Sequence, residues 1–146
     1  MCPKHEDLIK NGWQPYVTDN QLEDIITKAR ADKKEEILKY DSSSEVNEFY
    51  INGIPMWLDK NTRSALKLRL EAELAKDKKE TVLWYGEISI PISIDLAINM
   101  LYELEIYASQ CYDVTWGHCA NISNLNTIDE IKNYDFKCGY PNKLSF

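Results

Sequence analysis

Two residues on one stretch of this sequence could pair for nucleophilic chemistry: Cys111 and His118, both between Ser93 and Leu125. A thiol and an imidazole serve as nucleophile and base only in direct contact. Seven residues advance about 10.5 Å along a helix axis, far beyond hydrogen-bond reach. His118 and Cys119 are neighbours, and neighbours on a helix diverge by about 100°. His118 is therefore expected as an interior histidine bonded to a tyrosine or a backbone carbonyl, and no residue is assigned a catalytic role. A metal could draw on His5, His118 and two of Cys2, Cys111, Cys119 and Cys138, but their spacing matches no zinc motif. No metal and no cofactor is expected. Glu103 and Glu105 fall on different helix faces. Gly86, Gly117 and Gly139 are scattered, so no phosphate-cradling loop forms.

Composition narrows the classes further. Acidic residues outnumber basic ones 24 to 17, a net charge of -7, against the clustered cations that binding to nucleic acid requires. The lysines from Lys28 to Lys39 alternate with Asp32, Glu35 and Glu36 and read as a solvated face. Lys60, Arg63, Lys67 and Arg69 read the same way, spread around their helix. No apolar run approaches the roughly 18 residues that span a bilayer. The first ten residues hold charges where a secretory signal needs an apolar core, so synthesis in a cytoplasm is expected. The four cysteines form no Cys-x-x-Cys pair, and Cys111 and Cys119 read as reduced, buried thiols.

The elements that must position these residues follow from periodicity. Ala97, Leu101, Leu104, Ala108, Cys111, Thr115, His118, Ile122 and Leu125 recur at helical spacing, with Met100, Tyr107 and Val114 beside them. This predicts one long helix over about 94–125. Small and polar residues at Ala108, Cys111, Thr115 and His118 are unlike a coiled-coil seam, which wants Leu and Ile. The helix is therefore expected to be central and fully surrounded. Thr18 and Gln21 have capping-box spacing and open an earlier helix, as Thr127 and Glu130 open a short late one. Asn52-Gly53 joins two β-prone runs into a hairpin. Asp59 caps a helix from about Lys60 to Ala75, whose rows Ala65/Leu68/Ala72/Ala75 and Leu66/Leu70/Leu74 predict a broad buried face. A second hairpin is expected over 81–92, with Pro55 and Pro91 forcing edge positions. The aromatic tail from Asp135 to Phe146 is expected to pack back.

Residues 1–17 have no clean period and read as an extended arm. Its Trp13 and Tyr16 are expected to dock on the core, a second subunit or another protein. Trp57, Trp84 and Tyr107 are assigned to the core. Trp13, Tyr16 and Tyr140 are assigned to partner contacts, with the narrow stripe of Leu22, Ile25, Ile26 and Ala29.

Five words of the sequence occur together: YDSSSEVNEF (40–49), MWLDKNTRSAL (56–66), TVLWYGE (81–87), LYELEIYASQCYDVTWGH (101–118) and IDEIKNYDFKCGYPNKLSF (128–146). In this order they resemble an uncharacterised family of small domains from the tail-fibre regions of tailed phages and prophages, especially those of gut Bacteroidales. The resemblance covers about residues 20–146 and brings no catalytic residues with it. It implies a virion component of the tail made in the host bacterial cytoplasm, or an assembly chaperone that leaves before the particle is complete.

The expected fold is α+β: a helical bundle around the long helix, with two short hairpins forming a small sheet. The chain divides into an arm (1–17), an N-terminal helix (18–42) and a compact domain (43–146). The expected function is a non-enzymatic phage tail protein, a structural adaptor or a fibre-associated component. Its expected partners are tail or tail-fibre proteins and further copies of itself in an oligomer or array, held through the arm and the N-terminal helix. Neither nucleic acid nor membrane insertion is expected. The alternative of another class is a small cytoplasmic enzyme using Cys111 or His118.

Overall fold

Ser93 ends a strand and starts a helix with no loop between. Its hydroxyl accepts the Leu96 N–H at 3.2 Å, and the Ile94 N–H bonds Lys79 C=O at 2.9 Å. The computed structural model describes residues 18–146, so the arm, with Trp13 and Tyr16, lies outside the described residues. In order, the elements are α1 (Asp19–Asp41), α2 (Ser44–Asn47), β1 (Phe49–Ile51), β2 (Ile54–Met56), α3 (Lys60–Ala75), β3 (Glu80–Tyr85), β4 (Ile88–Ser93), α4 (Ile94–Ser123) and α5 (Ile128–Lys132). The α+β class and the long helix agree with the expectation.

α4 is about 45 Å long at 1.5 Å per residue, and different neighbours cover its two halves. The N-terminal half buries Ala97, Met100, Leu101 and Leu104 against the hairpins and Leu70 of α3. The C-terminal half packs Cys119 and Ile122 on Ile37 of α1, with Tyr134 and Phe136 of the tail alongside. Val46, Tyr107 and Cys111 join the halves.

The hairpins are built alike but do not merge. Each is a separate two-stranded antiparallel sheet, where a single small sheet was expected. Asn52 (φ 50°) and Gly53 (φ 78°) turn the first, and Gly86 (φ 60°) enters the second turn, conformations that favour Asn and Gly. Tyr50 points both backbone groups outward: its N–H bonds Leu144 C=O and its C=O accepts from Phe146 N–H. Its cross-strand neighbour Pro55 therefore sits where the ladder needs no N–H. Pro91 opposite Val82 repeats the arrangement, and Arg69 Nη2 reaches the outward Val82 carbonyl at 2.8 Å. The tail covers the β1 edge, Pro55 and Pro91 blunt the β2 and β4 edges, and Arg69 occupies the Val82 carbonyl on the β3 edge, so neither hairpin extends into its neighbour.

Three expectations about burial fail. α3 buries only Leu70, and Leu68 is 68% exposed. α4 and the second hairpin touch one narrow strip of α3, so the row Ala65/Leu68/Ala72/Ala75 finds nothing among the described residues to cover it. Trp57 and Trp84 are 42% and 64% exposed, because each lies at a strand end or on the outer face of a two-stranded sheet. α4 is not fully surrounded either. Leu96, Tyr102, Ile106, Tyr112 and Trp116 face outward, since covering all sides of a 30-residue helix takes more neighbours than the described residues supply.

Candidate functional site

The residues that could do chemistry lie on the inner face of α4, where Tyr107, Cys111, Thr115 and His118 are all buried. Thr115 Oγ1 donates to Asp41 Oδ1 at 2.7 Å. A threonine hydroxyl has one hydrogen, so the 2.7 Å contact with Tyr140 OH must have the tyrosine as donor. His118 Nε2 lies 2.8 Å from Cys138 C=O. A carbonyl only accepts, so Nε2 carries the hydrogen, and in the neutral ring Nδ1 accepts from Tyr134 OH at 2.6 Å. The Tyr134 oxygen accepts in turn from Asn121 Nδ2 at 2.9 Å. Tyr107 OH donates to Val46 C=O at 2.6 Å.

This seam ties α1, α4 and the tail together through mutually satisfied groups. Both ring nitrogens of His118 are used, which leaves no free nitrogen aimed at a nucleophile. No hydrogen bond joins Cys111 to His118. Burial pushes the Cys111 thiol up, as it does the Cys119 thiol, whereas a nucleophilic cysteine is normally shifted down toward thiolate. Tyr107 is likewise pushed up by burial. The tyrosine and carbonyl partners of His118 are those expected from the sequence. Among the described residues, no three His, Cys, Asp or Glu side chains gather as a metal-ligand set, and His5 lies outside those residues. No helix among them is long and apolar enough to cross a membrane.

The partner-contact candidates fall in different places. Leu22 and Ile25 are 46% exposed near the N-terminal end of α1, while Ile26 and Ala29 are half-buried. Ile25 and Ala29 line a shallow groove of about 450 Å³ together with Ile131 and Lys132 of α5. Tyr140 is not free. It is half-buried, its hydroxyl sits on Thr115, and its ring packs edge-on to Tyr40 at 5.5 Å. The polar middle of α1 is not simply a solvated face. Arg30 Nε and Nη2 both donate to Leu125 C=O just past the end of α4, at 3.0 and 2.7 Å. Lys33 Nζ donates to Lys132 C=O at the end of α5, at 3.1 Å. Cations belong at these carbonyl ends, where the helix dipole is negative.

Sequence reasoning missed two groups. Lys60, Arg63 and Lys67, read as scattered, line one notch of about 200 Å³ with Tyr102 and Glu105. Their i, i+3, i+7 spacing was the available signal. Tyr102, Ile106, Tyr112 and Trp116 form a row that no other described residue covers, legible as the large apolar residues that the buried series leaves out. Comparisons with protein-family models, with curated proteins and with solved structures find no match.

Proposed function

We propose that this chain is a non-enzymatic protein of a phage tail, a structural adaptor or fibre-associated component that works through protein–protein contacts. The supporting observation is how the large side chains are distributed. Trp57, Leu68, Trp84, Tyr102, Ile106 and Trp116 all face outward, while the polar groups of the interior seam bond one another. Large aromatic and aliphatic groups held on rigid elements, with an apolar body and in Tyr and Trp a polar tip, suit docking between proteins. The five sequence words that resemble tail-fibre-region domains supply the context: synthesis in the host cytoplasm and residence in the virion tail, against tail or fibre proteins.

The test is quantitative mass spectrometry of purified particles. An adaptor is expected at a fixed stoichiometry to the major tail proteins. Absence from particles that nevertheless need the gene for assembly would replace this reading with a chaperone. A Cys111→Ala protein that keeps its fold and loses function would point to the enzyme alternative instead.

A further inference from the structure

The row on the outer side of α4 has an internal symmetry. Tyr102, Ile106, Tyr112 and Trp116 are each between 48 and 62% exposed. Tyr102, Ile106, Ser109, Asp113 and Trp116 follow the alternating four- and three-residue spacing of a helix–helix seam. Tyr112 leans in from the side, its ring centroid 6.0 Å from that of Trp116. Tyr102 and Trp116 lie equally far before and after Ser109, as do Ile106 and Tyr112, and Glu105 and Asp113. A second α4 crossing antiparallel at Ser109 would set Trp116 on Tyr102 and Tyr112 on Ile106, twice over. The small serine sits where the backbones approach most closely. A two-fold interface needs such a self-complementary patch.

Charge selects the same arrangement. The N-terminal end of the row borders the notch lined by Lys60, Arg63 and Lys67. There Lys67 Nζ lies 5.9 Å from the Tyr102 ring centre. Arg63 Nη2 stands 3.6 Å from Glu105, and its buried Nε has no acceptor among the described residues. From Ser109 to its end at Ser123 the helix has no Lys or Arg and one carboxylate, Asp113. Antiparallel pairing brings each Asp113 to a partner's cationic notch, where Glu105 is already engaged by Arg63. Parallel pairing would put Asp113 on Asp113 and cations on cations.

We propose that the outer face of α4 is the seam of an antiparallel two-fold homodimer centred on Ser109. The occupant of this face is thus a second copy of the chain. Four large side chains about half exposed offer roughly 300–500 Å² per copy. With the rim of the notch this reaches about the 1,000 Å² total that a specific contact needs, so the dimer forms with concentration and is not obligate. The inference deepens the protein-contact reading by naming a partner. It does not depend on the tail assignment, since a dimer formed by a protein missing from virions would defeat that assignment alone.

The experiment is sedimentation of the full chain over a concentration series, with a Ser109→Cys cross-link in a background where Cys2 and Cys138 are serine. The expected results are a monomer–dimer equilibrium, a covalent dimer of Ser109→Cys on mild oxidation, and an Ile106→Arg protein that stays monomeric with an unchanged helical spectrum. Lys67→Glu should weaken the dimer, and adding Asp113→Lys should restore it. A chain that is monomeric throughout overturns the proposal. So does a dimer that persists in Ile106→Arg, or one that Ser109→Cys fails to lock.

Discussion

The two halves of α4 have different interiors on one continuous helix. Around Ala97, Met100, Leu101 and Leu104 the neighbours are aliphatic and aromatic carbon, and what stabilises the contact is area removed from water and the fit of side chains. Around Thr115 and His118 the neighbours are Asp41, Tyr140, Tyr134 and a backbone carbonyl, and there hydrogen bonds must replace those lost to water. The first kind of interior tolerates reshaping at constant volume. The second tolerates loss of volume better than loss of a donor. The long helix thus carries an apolar clamp for the hairpins and a polar clamp for α1 and the tail.

The largest expected effect is in the apolar half. Leu70 is fully buried between α3 and α4, so Leu70→Ala should cost about 2–5 kcal/mol in urea unfolding. Leu101→Met, which keeps volume, should cost under about 1.5 kcal/mol. In the polar half the order reverses. Thr115→Val conserves shape yet strips Asp41 of its donor and Tyr140 of its acceptor, and should cost about 1–3 kcal/mol. If Thr115→Val were as mild as Leu101→Met, the contrast between the halves would collapse.

Thiol chemistry sharpens the same contrast on a gentler scale. Cys111 and Cys119 are buried and Cys138 is exposed. In a Cys2→Ser background, an aromatic disulfide reagent should label Cys138 first. Cys111 and Cys119 should react only as the fold opens, because burial both hides the thiols and keeps them protonated. Rapid labelling of Cys111 in the folded chain would mean that the middle of the helix is more open than its packing indicates.

The sequence made the helices legible because their signals are local. All nine residues of the apolar series from Ala97 to Leu125 are buried or half-buried. The capping box at Thr18 is complete, with Gln21 N–H donating to the threonine and Thr18 N–H to the glutamine. Asn52 and Gly53 take the positive φ their turn demands. What failed depended on the reach of other elements. Periodicity says that Leu68 could face a core, but not that the core ends one row away. Nothing near Arg30 or Lys33 in sequence reveals that the carbonyl ends of two later helices lie opposite them. The edges of two hairpins, one with three-residue and one with six-residue strands, are equally silent about whether they meet. The interior role of His118 was legible by elimination, but its partners Tyr134 and Cys138 come from a tail with no period to place them. The outer row of α4 was visible only as residues left over.

The smallest effect lies at the cap of α3, which helps hold the apolar half. Asp59 accepts the Thr62 N–H at 2.7 Å, and this bond holds its carboxyl below the usual 3.8. A group whose folded value lies below its unfolded one binds fewer protons when folded. Its contribution is fully present above 3.8 and disappears as pH falls through the lowered value. Thermal unfolding followed down through the acid range should therefore lose part of its acid slope in Asp59→Asn, with the difference in slope, not in stability, confined to pH values around and below 3.8. The seam around Thr115 and His118 does not contact this cap, so a probe there, such as labelling of Cys119, should follow the same pH course in both proteins. If Cys119 opened earlier in Asp59→Asn, the two clamps would be coupled along α4, and the helix would be one cooperative unit rather than two interiors in series.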